Sequence, residues 1–370
     1  MVALGWLVLE MTDSPFLLGM VWAARMFPSL IFGMFAGAIA DKVDRRRLLI
    51  LVFIMQAAYA FLVGFLISRG WIQIWHIFLL IFISGSTMTL AIPTRQAFVV
   101  DIVGPEDAMT AISMNAVAMR VMGVFGAAAA GVVIELFGVE WPFYIMFIGY
   151  LLGIIVLLCI RGVVMKTSSE QQSVWGNFVD GLKIIRKNRI VRTLMVVAII
   201  CEILGFSYMV LLPIFARDIL NIGAVGLGML YTAQSVGGLI GVLAIASLGD
   251  YKHKGRLILG FFLFFGIFLV LFSQSPWYLV SLLLIAIVGA MAAAFDAMQH
   301  TMLQLNVIDE QRGRAMGLWT LSIGFGPVGY LAVGAMAAFL SAPLALSING
   351  IAIVATFFIL VIFVSRLRRA

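Results

Sequence analysis

DKVDRRRLLILVFIMQAAYAFLVGFLIS, residues 41–68, opens on a tight cluster of acids and bases and continues, from Leu48 to Ser68, with about 20 residues that carry no charge at all. A helix of that length rises about 30 Å, the thickness of a bilayer's hydrocarbon core. The same alternation of charged loop and apolar run fills the chain. Runs of this kind cover Phe16 to Ala40, Leu48 to Ser68, Ile74 to Ile92, Ile112 to Ile134, Pro142 to Ile160, Thr193 to Ile214, Gly226 to Leu248, Leu257 to Ser273, Trp277 to Phe295, Ala315 to Phe339 and Leu344 to Ser365. They make about 11 full spans. At 64% hydrophobic and 11% charged residues, the composition is that of a polytopic membrane protein, since soluble domains hold roughly 45–50% apolar and 25% charged residues.

Within hydrocarbon each span must satisfy its own backbone, and the runs lack the two-residue alternation of barrel strands, so the fold class is all-α. Assigning alternate loops to one side gathers Lys42, Arg45, Arg46, Arg47, Arg95, the stretch from Arg161 to Arg192, Lys252, Lys254, Arg256, Arg312, Arg314 and the terminal Arg366, Arg368 and Arg369. Such an excess marks the cytoplasmic side, and it places the C-terminus there. The opposite loops hold only Arg69 and Arg217. The net charge of +7 therefore reports topology, and no nucleic-acid partner is expected from it.

The first segment departs from this pattern. Met1 to Met11 is apolar but about 11 residues long, half of what a crossing needs. The first helix reads as truncated, through a missed upstream start or a fragment, and an intact chain would have about 12 spans. It lacks the basic region and cleavage site of a signal peptide. An internal repeat supports two halves of six. Gly123-x-x-Gly126-x4-Gly131 recurs as Gly326-x-x-Gly329-x4-Gly334, and Asp41–Arg47 has a weaker counterpart in Asp250–Arg256. The expected organisation is an N-terminal bundle over 1–160, a cytoplasmic linker over 161–192 and a C-terminal bundle over 193–370. Within the linker, Val174, Trp175, Phe178, Leu182 and Ile185 fall on one helical face, which suits an amphipathic helix lying on the lipid surface.

Gly37-Ala-Ile-Ala-Asp41-Lys-Val-Asp-Arg45-Arg-Arg47, between the second and third helices, resembles the loop signature of the major facilitator superfamily. Ser14-Pro-Phe-Leu-Leu-Gly, Phe27-Pro28, Pro93-Thr-Arg95-Gln-Ala-Phe98 and Gly324-Phe-Gly-Pro327-Val-Gly329 are similar to its enterobactin-exporter and macrolide-exporter branch, of the transmembrane secretion effector type. The resemblance spans nearly the whole chain. It implies two six-helix bundles around a central cavity, and a secondary active transporter, not an enzyme, working as a monomer without cofactors in a bacterial inner membrane. It further implies proton-linked export of a siderophore or a hydrophobic drug. A non-transporting scaffold or an inactive remnant is the alternative that the short first helix leaves open.

The residues suggest where such a machine would act. Asp41, at a helix end, can accept from the N-terminus of the helix beginning near Arg314, while Arg45 or Arg46 pairs with Asp101. Together with Gly37 these form an expected latch on the cytoplasmic face, or else a purely topogenic cluster. The glycines Gly123, Gly126, Gly131, Gly326, Gly329 and Gly334 suit close helix packing, and Pro327 suits a kink. Ionisable groups inside spans are costly, about 2.5–3.5 kcal/mol each, and so point to function. Glu202, about ten residues into the seventh span, is the expected proton or substrate carboxylate, unless it pairs with Arg25 or Arg120. Those two arginines, with Asp296 nearer the cytoplasmic end, complete the set. Arg25 and Arg120 either face an anionic ligand or snorkel; Asn115, Gln234 and Tyr208 add polar groups suited to a bulky, partly apolar substrate. There is no phosphate-binding Gly-x4-Gly-Lys-Ser/Thr loop and no His-Glu-x-x-His motif. Cys159 and Cys201, both in spans, suggest no disulfide or metal framework.

Overall fold

The computed structural model describes residues 1–104, 106–160, 185–186, 188–248, 251, 253–307, 319 and 322–363, with the side chains of 34–38, 40–42, 109, 116 and 363 excepted. The elements are helices, and no strand occurs among the described residues. They are α1 (Val2–Thr12), α2 (Pro15–Lys42), α3 (Arg45–Ser68), α4 (Ile74–Val103), α5 (Ala108–Phe137), α6 (Trp141–Cys159), α7 (Arg189–Ile219), α8 (Gly223–Ser247), α9 (Lys254–Ser273), α10 (Tyr278–Leu305), α11 (Gly326–Phe339) and α12 (Ala342–Phe363). Ten are long and apolar enough to cross a bilayer; α1 and α11 are shorter. The linker from 161 to 184, with its expected amphipathic helix, lies outside the described residues.

Local chemistry sets the helix starts. Ser14 accepts from the Leu17 amide at 3.3 Å, and Pro15 occupies the first turn, where its missing N–H costs no bond. Asp44 caps α3 by accepting from the Arg47 amide at 3.0 Å. Pro93 does not end α4, which continues to Val103, because neighbouring helices supply the packing that offsets a lost backbone bond. Pro327 sits in the first turn of α11, after a break at Gly324–Phe325; most of the residues before that break lie outside the described ones. The seventh helix is α-helical from Arg189 to Ile200 and from Tyr208 to Ile214, with π-helical turns at Cys201–Gly205 and Phe215–Ile219.

Helices α1 to α6 pack among themselves, as do α7 to α12, and the two sets meet along α2–α11, α5–α8 and α1–α7. Small residues make two of these contacts close. The Cα atoms of Gly19 and Gly334 face one another across α2–α11, and Gly131 meets Gly228 across α5–α8; a Cβ on Gly131 would stand 2.6 Å from the Ala224 carbonyl. With no hydrophobic drive between helices in lipid, such backbone approach supplies the packing energy. Gly329 is also tight, lying on the Ile203 carbonyl. The expectation for Gly123 and Gly126 is not met: a Cβ on either would find no atom within 4 Å. Gly326 is buried, and a Cβ on it would meet nothing closer than the Tyr330 side chain at 3.5 Å, an ordinary contact. The tightest glycine seam in the second set is instead on α8, where Gly237 and Gly241 lie on the Ala286 and Ala290 carbonyls of α10.

The ends of the molecule differ. The end that carries Arg45, Arg46, Arg189, Lys254 and Arg256 is called here the basic end. The closest backbone contacts between halves, at Gly19, Gly131 and Leu9, lie towards the opposite end, and Thr232 of α8 donates to the Val124 carbonyl of α5 at 3.1 Å nearer the middle. Towards the basic end α5 is uncovered around its whole circumference, with Met114, Val117, Met119 and Met122 at 68%, 58%, 50% and 64% exposure. Among the described residues the halves are therefore joined from that opposite end to mid-membrane, while α5 is exposed towards the basic end.

Candidate functional site

The basic loop builds a tie within one half. Arg45 of α3 gives Nη1 to both carboxylate oxygens of Asp101 on α4 at 2.8 Å, with both side chains largely buried. Arg46 donates from Nε and Nη2 to the Leu157 and Leu158 carbonyls at 2.7 Å, which satisfies orphan acceptors near the end of α6. The expected pairing with Asp101 is present, but α3, α4 and α6 belong to one set of six helices. The Arg45–Asp101 pair itself ties helices within that set. The side chains of Gly37 and Asp41, and residue Arg314, lie outside the described residues.

At mid-membrane the second set of helices brings two acids together. Glu202 sits on the π-helical turn of α7 and Asp296 on α10, each partly buried and each within electrostatic reach of the other. Neither makes an ion pair or a side-chain hydrogen bond among the described residues. The alternative of a Glu202 pair with Arg25 or Arg120 is thus not found there. Arg120, exposed on the open stretch of α5, lies within reach of Asp296 and beside Gly238 of α8. Gln234 of α8 donates to the Tyr208 hydroxyl of α7 at 2.7 Å. The backbone there is held by Gly289 of α10, which lies on the Gln234 carbonyl. Asn115 stays on the uncovered part of α5 and forms no hydrogen bond with this group. The turn that carries Glu202 is wedged from two sides: Gly329 of α11 rests on the Ile203 carbonyl, and Asn349 of α12 donates to Ser207 Oγ at 2.9 Å. π-Helical turns recur at functional sites, where they expose carbonyls and re-aim side chains.

The first set of helices places Arg25 apart from these acids, on α2. Its Cζ lies 5.9 Å from the Trp22 ring, and Tyr59 of α3, Tyr150 of α6, Tyr231 of α8 and Tyr330 of α11 are within its electrostatic reach. Its backbone carbonyl is packed against Gly85 of α4, which fixes the helix at this point. Sequence reasoning found Arg25 by its charge and missed its aromatic neighbours, which come from five helices and share no spacing in the chain. It also missed Arg217, which bonds the Leu9 carbonyl and Asp13 of α1. The signal available was that Arg217 is one of only two bases on its side.

The profile of a protein family described as transmembrane secretion effector matches residues 1–370. A staphyloferrin A transporter from Staphylococcus aureus (strain NCTC 8325 / PS 47) is 24% identical over 335 residues, 89% of this chain and 83% of its own. An enterobactin exporter, EntS, from Shigella boydii serotype 4 is 23% identical over 369 residues, 97% of this chain and 86% of its own. Among solved structures, the nucleoside transporter NupG superposes with a TM-score of 0.72 at 16% identity, covering 97% of this chain and 92% of that one. A bacterial homologue of the human lysosomal transporter Spinster, in an inward-facing and unoccupied conformation, gives 0.69 at 12% identity, covering 99% and 92%.

Proposed function

The chain belongs to the transmembrane secretion effector family of major facilitator transporters, and from that premise we propose that it exports a siderophore by alternating access driven by the proton gradient. Membership makes it a multi-pass membrane transporter and not an enzyme. The similarity to a staphyloferrin A transporter and an enterobactin exporter supports a siderophore as substrate and a bacterial inner membrane as location.

The observation that carries proton coupling is the Glu202–Asp296 pair. Two acids on different helices lie within electrostatic reach of each other inside the membrane, and neither forms an ion pair among the described residues. One of them holds a proton while the site is dry and releases it when the site is wetted. The exposure of α5 towards the basic end supports a cytoplasm-facing state ready to take substrate, with that end cytoplasmic as its charge implies. Closing the halves at the basic end and opening them at the other would carry substrate outward.

The test is efflux from energised cells that express the chain, with a catecholate siderophore and a panel of hydrophobic drugs, each with and without a protonophore. Siderophore efflux that the protonophore abolishes is expected. Drug efflux without siderophore efflux would replace the substrate, efflux indifferent to the protonophore would remove proton coupling, and no efflux of any compound by inserted protein would favour a scaffold.

A further inference from the structure

Arg25 lies about ten residues into α2, roughly 15 Å from the end of the helix and so near the middle of a bilayer of about 30 Å. It is half-buried, and among the described residues its guanidinium makes no hydrogen bond and no ion pair. A permanent charge at that depth is costly and is retained where something else compensates it. No carboxylate does so here. What surrounds it instead is a set of donors: the phenols of Tyr59, Tyr150, Tyr231 and Tyr330, and the indole of Trp22. Only Tyr231 has its hydroxyl engaged, donating to the Met209 carbonyl at 3.1 Å. Trp22 is 2% exposed and its Nε1 is buried without an acceptor.

A cation with hydrogen-bond donors within its electrostatic reach, most of them without an acceptor among the described residues, is the complement of an anion. The geometry points to a subsite at Arg25 for an ionised oxygen group of the cargo, a carboxylate or a catecholate, with the phenols of Tyr59, Tyr150 and Tyr330 and the indole N–H of Trp22 as further donors. This rests on the reading of the chain as a transporter of small molecules. The guanidinium fork fits two adjacent oxygens in one plane, which both ligand types present. An amine or quaternary cation would meet Arg25 with like charge and is disfavoured. Tyr330 is within electrostatic reach of Glu202 as well as of Arg25, so the subsite borders the turn that carries Glu202. Tyr59 and Tyr150 come from the first six helices and Tyr330 from the last six, so an anion bound here would touch both halves.

The test is calorimetric titration of the purified full chain in lipid nanodiscs, with citrate, 2,3-dihydroxybenzoate and, as a bulky cation, tetraphenylphosphonium. The wild-type protein is expected to bind at least one anion, and which of the two it binds separates carboxylate from catecholate recognition. Arg25→Gln should weaken that binding about 10-fold to 100-fold, and Arg25→Lys, which keeps the charge and loses the fork, should recover part of it. Tetraphenylphosphonium should bind no more weakly to Arg25→Gln than to the wild type. Anion binding that survives Arg25→Gln unchanged, or no anion binding by the wild-type protein, would overturn the subsite. Arg25→Lys guards against a folding defect in the glutamine variant. Since the titration needs no gradient, Arg25-dependent binding in a chain that shows no efflux would sink the exporter reading and leave the subsite standing.

Discussion

Arg217 of α7 donates from Nη1 to the Leu9 carbonyl of α1 at 3.0 Å, and this joins the last six helices to the first six at the end remote from the basic loops. The same guanidinium reaches the carboxylate of Asp13, which ends α1 in a left-handed conformation, and is steadied by Asp218 at 2.5 Å. The contrast with Arg45–Asp101 is one of topology. Both pairs join two helices, but only Arg217 joins the two halves.

Replacing Arg217 should loosen that end. Asp13 is 79% exposed, so its charge contributes little in water, and the bond to Leu9 gives most of the effect. A loss of about 1 kcal/mol would shift the balance towards opening there about fivefold. Spin labels on Thr12 and Asn221 would report it: Arg217→Ala should raise the population of long distances, and an unchanged distribution would show that the bond does not hold the halves together.

Arg45–Asp101 should behave as a staple. Asp101→Asn removes the carboxylate that pairs with the largely buried Arg45 guanidinium and should cost up to about 3 kcal/mol, less where water or another group reaches it. The expected result is a lower unfolding temperature in detergent with the distance distribution between halves unchanged. A large change in that distribution would favour the latch.

Glu202→Gln keeps the shape of the side chain and removes its proton chemistry. Coupled efflux should be lost while membrane insertion and the unfolding temperature stay near those of the wild type. Efflux that still follows the proton gradient would remove Glu202 from the mechanism and leave Asp296 to be tested in the same way.

The glycines should divide by position. Gly131→Ala drives a methyl towards the Ala224 carbonyl and Gly329→Ala drives one into Ile203; each should cost about 1–3 kcal/mol, and the second should also disturb the Glu202 turn. Gly123→Ala and Gly126→Ala meet open space in this state and should be neutral or stabilising by up to about 1 kcal/mol. If either of these two abolishes efflux without lowering stability, that glycine packs closely in the other state of the cycle.

Much of the fold was legible in the chain because a bilayer demands it. A run such as Leu48 to Ser68 has few alternatives to a spanning helix, and its ends agree with α3 to within a turn. The apolar span from Ile74 to Ile92 continues as helix to Val103, since a proline such as Pro93 is tolerated within a packed membrane helix. The site was half legible. Glu202, Asp296, Arg25 and Arg120 stood out because charge within an apolar run is costly wherever the helix packs.

The sequence by itself determined that the protein is an all-helical membrane transporter, which side of each helix end is basic, and which few charges lie within the membrane. These follow from one-dimensional properties: run length against bilayer thickness, and charge against hydrocarbon. Only the tertiary structure decided which of those charges meet. Rotation about each helix axis and the pairing of helices bring Glu202 towards Asp296, leave Arg25 among aromatic rings from five helices, confine Arg45 and Asp101 to one half, and give Arg217 the contact between halves. Apolar faces in lipid specify no partner, so that choice rests on close backbone contacts such as Gly19 with Gly334 and Gly131 with Gly228, which exist only once the helices are packed.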